Sequence, residues 1–287
     1  MKQTIEQFYS PETLRRLQLT ELGILKKFDA MCEKHGLTYF GLYGTALGAI
    51  RHKGIIPWDD DIDVCMPRKD YERLAELVPQ EFGENYTLLN AQIDPNYPFG
   101  TSRIMLKGTE FRMLSMKNCP CELGIFLDIF CLDDLPEDEK KRKRMIRKCF
   151  VLEKMCILRI TPFPNSPYRG IKRVIVYGCC AVASLLLKPF PKKALHKWLR
   201  DSMSKYRDCG SGYYGILLGM APSKDVYPRD MLFPIQRVPF EDTLIPIPND
   251  AHGMMRQVYG DTYMTPPPEG KRSNIIPYKL SFGDEEA

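Results

Sequence analysis

The feature that most constrains this chain is an acidic run that leads directly into an apolar segment. Residues 57–66 read Pro-Trp-Asp-Asp-Asp-Ile-Asp-Val-Cys-Met, with four aspartates in five positions. Side chains two apart on a strand project from the same face, so Asp61 and Asp63 are expected to point together. Carboxylates this close repel one another, and a divalent cation is the simplest way to hold them. The alternative is a solvated acidic turn, but an ordinary turn does not continue into a strand-like apolar segment.

A strand, a small-residue turn and a short helix are predicted immediately upstream of the acidic run. The strand spans residues 37–43, Gly44 and Thr45 interrupt it, and residues 46–52 follow a short helical pattern. A helix that begins in this way directs backbone N–H groups towards a phosphate. Gly44 allows close backbone approach, and Thr45 adds a hydroxyl donor. The Gly44–Thr45 dipeptide indicates a phosphate site only because it stands sixteen residues before the acidic pair.

Basic residues at two places are candidates for contacting a bound phosphate. Arg51, His52 and Lys53 follow the glycine–threonine turn, and Arg103 and Lys107 share one face of a predicted strand. Each set is equally well explained as a solvated basic face, so both interpretations stay open.

Trp58, one of two tryptophans, stands immediately before the acidic run. Aromatic faces attract a quaternary ammonium group, by about 0.5–2 kcal/mol per ring. One hypothesis is therefore an aromatic box for such a group, made of Trp58 with Tyr43 or Tyr97. We favour the alternative, in which Trp58 packs beneath the acidic loop. The four histidines lack ligand spacing, and none is assigned to a metal.

The rest of the chain outside its middle alternates helices and short strands. A capping serine and a proline begin a helix at residues 10–12, and Gly36 ends it. Strands are predicted at 61–66, 86–92, 102–107 and 124–130, a helix at 68–78, a hairpin at 233–247 and a short helix ending at Gly260. The length of 287 residues fits one catalytic α/β unit with helical additions.

Residues 136–210 differ from the rest because they are basic and predicted to be helical. Seven of the nine residues from 140 to 148 are basic. Helices are predicted up to Ile160, at 168–187 and at 191–207, with a proline-rich break at 161–167. The apolar run 174–187 has fourteen residues, too few to span a bilayer, and lysines and arginines flank it. We predict a buried helix, with peripheral contact to an anionic membrane as the alternative.

Composition excludes a disordered chain and favours a cytoplasmic one. Hydrophobic residues make up 44% and charged residues 27%, and the net charge of +5 suits phosphate ligands without implying nucleic acid. The first eleven residues are polar, which predicts no signal peptide, so the ten cysteines are expected to remain thiols. Cys119 and Cys121 lack a second pair of zinc ligands, and their role stays open. Five cysteines are expected to be small buried hydrophobes: Cys65, Cys131, Cys156, Cys179 and Cys180.

The run YGTALGAIRHKGIIPWDDDIDV resembles the LicD family of the nucleotidyltransferase superfamily, which includes bacterial phosphocholine transferases and relatives of fukutin. Similar segments occur at 124–130 and 259–267, so the resemblance covers most of residues 35–135 and about 230–272. It implies an α+β fold with a nucleotidyltransferase-type mixed sheet core and a helical insertion. The implied parts are a catalytic core at 1–135, the insertion at 136–210, and a segment at 211–287 that packs back on the core.

The resemblance also implies a metal site and a phosphate site. In the superfamily a neighbouring strand supplies a third carboxylate, and Asp128 fits that place. Asp61, Asp63 and Asp128 are therefore expected to be catalytic and to hold Mg²⁺ or Mn²⁺, because a lone buried carboxylate is costly. Asp128 has two alternatives: accepting the proton of the attacking hydroxyl, or a structural role held by backbone donors. Asp133 and Asp134 are expected to be ordinary loop acids.

The function implied is transfer of phosphocholine, or of another alcohol phosphate, from a CDP-alcohol to a glycan hydroxyl. CDP-choline is the leading donor, and the acceptor is expected to be a lipopolysaccharide, another cell-surface polysaccharide or a teichoic-acid precursor, free or lipid-linked. Two alternatives stay open: a nucleotidyltransferase acting on a small hydroxyl compound, and a non-catalytic binding protein on the same scaffold. We expect no nucleic-acid partner and a cytoplasmic location, at the inner face of the plasma membrane if the helical middle contacts lipid.

Overall fold

The computed structural model describes residues 9–163, 170–219, 222–269, 272 and 277–283. Its helices are α1 (Pro11–His35), α2 (Tyr43–His52), α3 (Arg68–Tyr71), α4 (Leu74–Glu81), α5 (Glu139–Ile160), α6 (Gly170–Leu187), α7 (Lys192–Met203), α8 (Arg229–Leu232) and α9 (Ala251–Tyr259). Its strands are β1 (Phe40–Gly41), β2 (Asp63–Pro67), β3 (Tyr86–Leu89), β4 (Ser102–Leu106), β5 (Glu110–Met113), β6 (Phe126–Leu135), β7 (Tyr213–Gly215), β8 (Val226–Pro228), β9 (Gln236–Phe240), β10 (Thr243–Ile247) and β11 (Pro277–Ser281). This mixture confirms the predicted α+β class.

A seven-stranded mixed sheet forms the centre of the protein. Its main path runs β1-β2-β6-β4-β3, and β7 and β8 continue from the later part of β6. The β2–β6 pair is parallel, and the other neighbours in this sheet are antiparallel. In this register Asp63 lies opposite Asp128, and Asp128 lies opposite Arg103. Residues opposite one another project from the same face of a sheet, so strand pairing brings these three side chains together.

Helix α1 covers one face of the sheet, and both of its predicted ends are confirmed. The Ser10 hydroxyl accepts a hydrogen bond from the Thr13 N–H at 3.1 Å. Gly36 ends the helix in the left-handed region with φ of 62°, a conformation that glycine adopts without a Cβ clash. Leu17 and Phe28 are among the fully buried side chains of its inner face, which explains why the apolar spacing predicts this helix well.

The strand predicted at 37–43 is wrong at its end, because the chain turns earlier than the apolar run indicates. Only Phe40–Gly41 pairs as a strand, and Tyr43 already belongs to α2. The next strand, β2, begins at Asp63, so Asp61 precedes it and does not share its face as a strand residue. The helix predicted at 68–78 is divided into α3 and α4.

The prediction that Asp133 and Asp134 are loop acids is wrong, because β6 extends to Leu135. The first seven residues of β6 pair with β2 and β4, and its last three residues pair with β7. Asp133 is buried and accepts two hydrogen bonds from the buried Arg68, at 2.8 and 2.9 Å. A bidentate arginine partner satisfies this carboxylate inside the core, and no local pattern reveals it.

Helices α5 and α7 share a hydrophobic cluster with the end of β6, whereas α6 does not bury its apolar surface. Cys149, Leu195 and Leu199 belong to that cluster. Of the residues of α6, all of which are described, Leu187 alone is buried. The buried helix predicted at 174–187 is therefore wrong, because an apolar sequence shows a preference for leaving water but not what covers it. Residues 164–169, which include most of the predicted proline-rich break, lie outside the described residues.

By length and composition α6, with its eighteen residues, is also a helix that is able to cross a membrane. Cys179 is exposed and Cys180 half-buried, so the burial predicted for these two cysteines is wrong for the same reason. All ten cysteines are free thiols, as predicted.

The C-terminal part of the chain contains the predicted hairpin and short helix. Strands β9 and β10 pair around the turn at Glu241 and Asp242, and α9 ends before Gly260. Met254 and Met255 of α9 pack in one buried cluster with residues of β1 and α2. Strand β11 pairs with β5, and sequence patterns predicted neither of these strands. This packing places α9 and the turn after it beside the first residues of β2.

Candidate active site

A cavity of about 610 Å³ opens beside the first residues of β2 and β6. One wall is acidic and is formed by Asp59, Asp60, Asp61, Asp63 and Asp128. Another wall consists of Tyr259 at the end of α9, the segment after it and the side chain of Arg51. The cavity therefore brings three separate sequence motifs together: the acidic run, the Gly124–Phe130 segment and the segment from residue 259 onwards.

Three carboxylates of the acidic wall lie within the range of a shared cation. Asp59, Asp60 and Asp61 each offer a ligand oxygen, and these atoms lie within 4.8 Å of one another. In the part of the chain that the structure describes, no other group of His, Cys, Asp or Glu residues is arranged in this way. Asp63 and Asp128, predicted to hold the metal together with Asp61, lie outside this group and are opposite one another on adjacent strands. Neither Cys119 and Cys121 nor any histidine belongs to such a group among the described residues.

Burial and mutual repulsion raise the pKa values of three of these carboxyl groups. Burial, followed by the charge of Asp60, raises the pKa of Asp59 to about 7. Burial and then the neighbouring Asp63 raise the pKa of Asp61 well above its ordinary value. For Asp63 the causes are burial and then Asp128, opposed by the positive charge of Arg103. Carboxylates that protonate this readily are stabilised in their charged form by a bound cation.

A second buried acid lies on α1. Glu21 is fully buried, and neither of its carboxylate oxygens has a hydrogen-bond partner among the described residues. Burial and then the charges of Asp60 and Asp59 raise its pKa well above the ordinary range. Glu21 and the acidic wall therefore repel one another, and an excess of negative charge is concentrated at this end of the sheet. Oxygen ligands in such an excess fit a hard divalent cation.

The first turn of α2 contains Gly44 and Thr45, which were predicted to end the strand and form a turn before the helix. A Cβ atom on Gly44 would lie 2.4 Å from Asp59 Oδ2, so the glycine lets that carboxylate pack against the backbone. The buried Thr45 hydroxyl accepts a hydrogen bond from the Asp63 N–H at 2.8 Å. Gly44 lines the cavity, whereas Thr45 instead ties α2 to the start of β2.

Tyr43, just before this glycine, has a left-handed backbone with φ of 42°. This conformation is strained for a bulky side chain and needs support from its surroundings. Its hydroxyl donates a hydrogen bond at 2.8 Å to Asp225, which is fully buried and also accepts one from Tyr227. Sequence analysis missed Asp225, because an isolated acid in a loop 182 residues away carries no local signal.

Arg51 and Arg272 lie against Trp58. The guanidinium carbon of Arg51 is 5.6 Å from the Trp58 ring centroid, and that of Arg272 is 4.1 Å away. Arg51 also donates to the Tyr263 carbonyl at 2.8 Å. His52 meets the edge of the same ring, with centroids 5.8 Å apart. Trp58 is half-buried and lines the cavity while it packs against these basic side chains.

The remaining predicted site residues divide between the cavity and the outer surface. Arg103 is buried, lines the cavity and donates to Asp128 Oδ2 at 2.9 Å. Lys53 is exposed and ends α2, and Lys107 is exposed after β4; neither lines the cavity. Tyr97, suggested for the aromatic box, is fully buried and likewise absent from the cavity wall.

Comparison with known proteins identifies relatives of this chain. A family model described as LicD/FKTN/FKRP, nucleotidyltransferase domain, matches residues 36–116. The chain is 30% identical over 267 residues to the lipopolysaccharide cholinephosphotransferase LicD of Haemophilus influenzae, covering 92% of this chain and 96% of that protein. Shorter matches are to uncharacterized proteins of Rickettsia prowazekii, 37% identical over 65 residues, and Rickettsia typhi, 34% over 77 residues. These cover 23% and 25% of this chain, and 24% and 25% of the two proteins.

The matched domain and the full-length similarity define the class, which is a phosphotransferase with a nucleotidyltransferase domain. More narrowly, the chain belongs to the LicD family. The full-length match extends beyond the motif regions and includes residues 136–210, for which the motifs alone indicated no relationship.

Proposed function

We propose that this protein transfers phosphocholine, or a related alcohol phosphate, from a CDP-alcohol to a glycan hydroxyl. CDP-choline is the donor to test first, and lipopolysaccharide the acceptor, with a teichoic-acid precursor as the second choice. The observation that carries the proposal is the convergence of five aspartates and two arginines, Arg51 and Arg103, around one cavity beside the matched motif. The name of the Haemophilus relative supports the transferred group and the acceptor class.

The acidic wall fits Mg²⁺ or Mn²⁺. Asp61 and Asp63 would hold the cation, together with Asp59 or Asp60 from the same loop. A cation bound there neutralises charge on the donor phosphates and on the departing nucleotide. The protein contributes by fixing its carboxylates before the ligand arrives. Thr45 ties α2 to the backbone of Asp63, and Gly44 lets Asp59 pack against α2.

Asp128 is oriented by its ion pair with Arg103. One oxygen, Oδ2, accepts the Arg103 hydrogen bond, and the other, Oδ1, is buried without a partner in the described part of the chain. That second oxygen is available to complete the cation site or to accept the proton of the attacking glycan hydroxyl. Arg103 acts on the reaction through Asp128 and, since it lines the cavity, also adds positive charge beside the acidic wall.

The part of the cavity beside Arg51 suits the diphosphate of the donor. Arg51 and Trp58 line the cavity, and Arg51 retains donors beyond the one used by the Tyr263 carbonyl. Arg272 lies against the Trp58 ring and is not itself part of the cavity lining. Planar guanidinium groups bind phosphate oxygens well. Because two cations already lie against Trp58, a choline headgroup is better placed against another aromatic ring that lines the cavity. Tyr259, which is 38% exposed, is our candidate.

Product identity tests the proposal. The purified protein is incubated with Mn²⁺, a glycan acceptor and CDP-choline or related CDP-alcohols, and separately with CTP. We expect CMP and a phosphodiester from a CDP-alcohol, and little pyrophosphate from CTP. Asp63→Asn should abolish CMP release, whereas Asp230→Asn, which changes an exposed acid on α8, should not. Pyrophosphate from CTP with every CDP-alcohol inert would establish the nucleotidyltransferase alternative instead.

A further inference from the structure

Helix α6 exposes an apolar surface along its whole length. The exposed fraction is 72% for Ile171, 65% for Val174 and 69% for Leu186. Exposed uncharged positions recur every three or four residues, as they do on one face of a helix. They include Ile171, Val174, Ile175, Gly178, Cys179, Val182, Leu185 and Leu186. Residues 174–187 contain no charged side chain, so no part of this face carries the charge that usually keeps a surface helix in water.

Exposed aromatic side chains lie beside α6. Phe163, just after α5, is 52% exposed, and its ring meets that of Tyr177 in α6 with centroids 5.8 Å apart. Beyond the last residue of α6, the rings of Phe190 and Trp198 meet edge to face, with centroids 6.0 Å apart. Both rings remain substantially exposed. An exposed apolar helix with aromatic side chains beside it is unusual on a protein that faces only water.

Positive charges lie at both ends of this surface. Lys172 and Arg173 occupy the first turn of α6, and Lys188 follows its last turn. All three residues are exposed. An apolar helix with aromatic and basic residues at its ends matches an anionic bilayer, in which acyl chains lie beneath negative headgroups. Charge therefore indicates which occupant covers the apolar face.

The packing of the neighbouring helices decides how α6 meets the bilayer. Helix α5 packs against both α6 and α7, and α5 and α7 share one buried cluster with β6. The two ends of α6 are thus held on the same folded body. If α6 crossed a bilayer, α5 and α7 would lie on opposite sides of it, and that shared cluster would be broken.

We propose that α6 and the adjoining residues Phe163, Phe190 and Trp198 form a docking surface for an anionic lipid bilayer. The helix lies in the boundary between headgroups and acyl chains, with its exposed face inserted and α5 on its protein side. Lys172, Arg173 and Lys188 contact the anionic headgroups. The surface does not depend on which alcohol phosphate the cavity transfers.

The test is co-sedimentation of the full-length protein with vesicles of phosphatidylglycerol and phosphatidylcholine, or of phosphatidylcholine alone. We expect binding to the anionic vesicles that weakens as salt rises. The double variant Val182→Glu/Leu186→Glu should bind at least tenfold more weakly, and Lys172→Glu/Arg173→Glu should lose most of the preference for anionic lipid. Leu19→Glu is the matched control, because Leu19 is 50% exposed on α1, outside this surface. It should bind like the original protein.

Other occupants give different results. Binding of Val182→Glu/Leu186→Glu equal to that of the original protein, or no binding by the original protein at low salt, would overturn the proposal. If light scattering shows a dimer that dissociates in Val182→Glu/Leu186→Glu, and lipid has no effect, the face is a subunit interface. Retention in the membrane pellet after alkaline carbonate extraction would indicate a spanning helix. CMP release in solution is measured in parallel, so failure of lipid binding is separable from failure of the proposed chemistry.

Discussion

The acidic cavity and helix α6 are opposite exceptions to one rule of protein structure. Proteins usually keep charge in water and apolar side chains inside. The cavity holds Asp61 and Asp63 where burial and repulsion raise their pKa values, and α6 leaves Ile171 and Leu186 in water. Each exception is unfavourable for the protein alone, and each is relieved by one class of partner. The chemistry of the exception identifies the partner: a divalent cation for crowded carboxylates, and a bilayer for an apolar face with basic ends.

Burial of charge alone does not make a functional site, as the other end of the same strands demonstrates. Asp133 of β6 is buried at least as deeply as the cavity acids, yet Arg68 satisfies it with two hydrogen bonds. Asp128 lies five residues earlier on β6. One of its oxygens accepts a hydrogen bond from Arg103, and the other has no partner among the described residues. A buried acid with a complete partner supports the fold, and one with an incomplete partner is able to take a ligand.

The largest effect is expected from neutralising a cavity acid. Asp63→Asn should lower CMP release at least about 10³-fold, because the cation that stabilises the leaving group loses a ligand. The free energy of unfolding without metal should not fall, since the change removes a repelling charge. Turnover and Mn²⁺ affinity by calorimetry, with thermal unfolding in EDTA, give the three measurements. Unchanged turnover and unchanged Mn²⁺ affinity would remove Asp63 from the site.

Neutralising Asp133, the acid paired with Arg68, should have the reverse effect: stability falls and metal binding is kept. Asp133→Asn leaves Arg68 buried without its ion partner, which typically costs about 3–5 kcal/mol of unfolding free energy. Mn²⁺ affinity should stay the same in the folded protein. Urea unfolding of Asp133→Asn beside Asp63→Asn makes the comparison direct. If Asp63→Asn proves the more destabilising of the two, the distinction between supporting and ligand-binding acids fails.

A smaller effect is expected from pH. The pKa of Asp59 is raised from about 4 to about 7, so the folded protein binds more protons than the unfolded chain across that window. Without metal, stability should therefore be greatest at the acidic end and should fall as pH rises from about 4 to about 7. Thermal unfolding at pH 5 and 7.5, in EDTA and in saturating Mn²⁺, measures this.

Asp59→Asn is the control for that experiment, because other groups titrate in the same range. The stability of the original protein relative to Asp59→Asn should fall as pH rises. Mn²⁺ should reduce this fall. If the original protein instead gains stability relative to Asp59→Asn at pH 7.5 in EDTA, Asp59 is ionised without a bound cation.

The smallest effect on stability is expected at α6. Leu186→Gln should change the unfolding free energy by no more than about 0.5 kcal/mol, because the side chain is already in water. Leu195→Gln, at a fully buried position of α7, should cost several times more, about 2–4 kcal/mol. Urea unfolding of the two variants checks this. A large loss for Leu186→Gln would show that protein rather than lipid covers α6.

Sequence alone determined the features that depend on neighbouring residues. The Ser10 cap and Gly36 end of α1 follow from contacts within four or five residues, and so does the turn between β9 and β10. The acidic run and its flanking motif were sufficient for the family, because the motif combines residues close in the chain. Tyr43 marks where this reasoning stops: apolar spacing placed it in a strand, whereas a distant hydrogen bond to Asp225 supports it in the first turn of α2.

Tertiary structure decided which charges are satisfied and which apolar faces are covered. Strand register places Asp128 beside Asp63, and Arg103 then takes one of its oxygens. Arg68 reaches Asp133 across 65 residues of sequence. Helix α6 has the composition of a buried helix but no cover from the described chain along its outer face. The physical reason is common to all of these cases: propensity and capping act over a few residues, whereas the free energy of a charge or an apolar face depends on what packs against it in three dimensions.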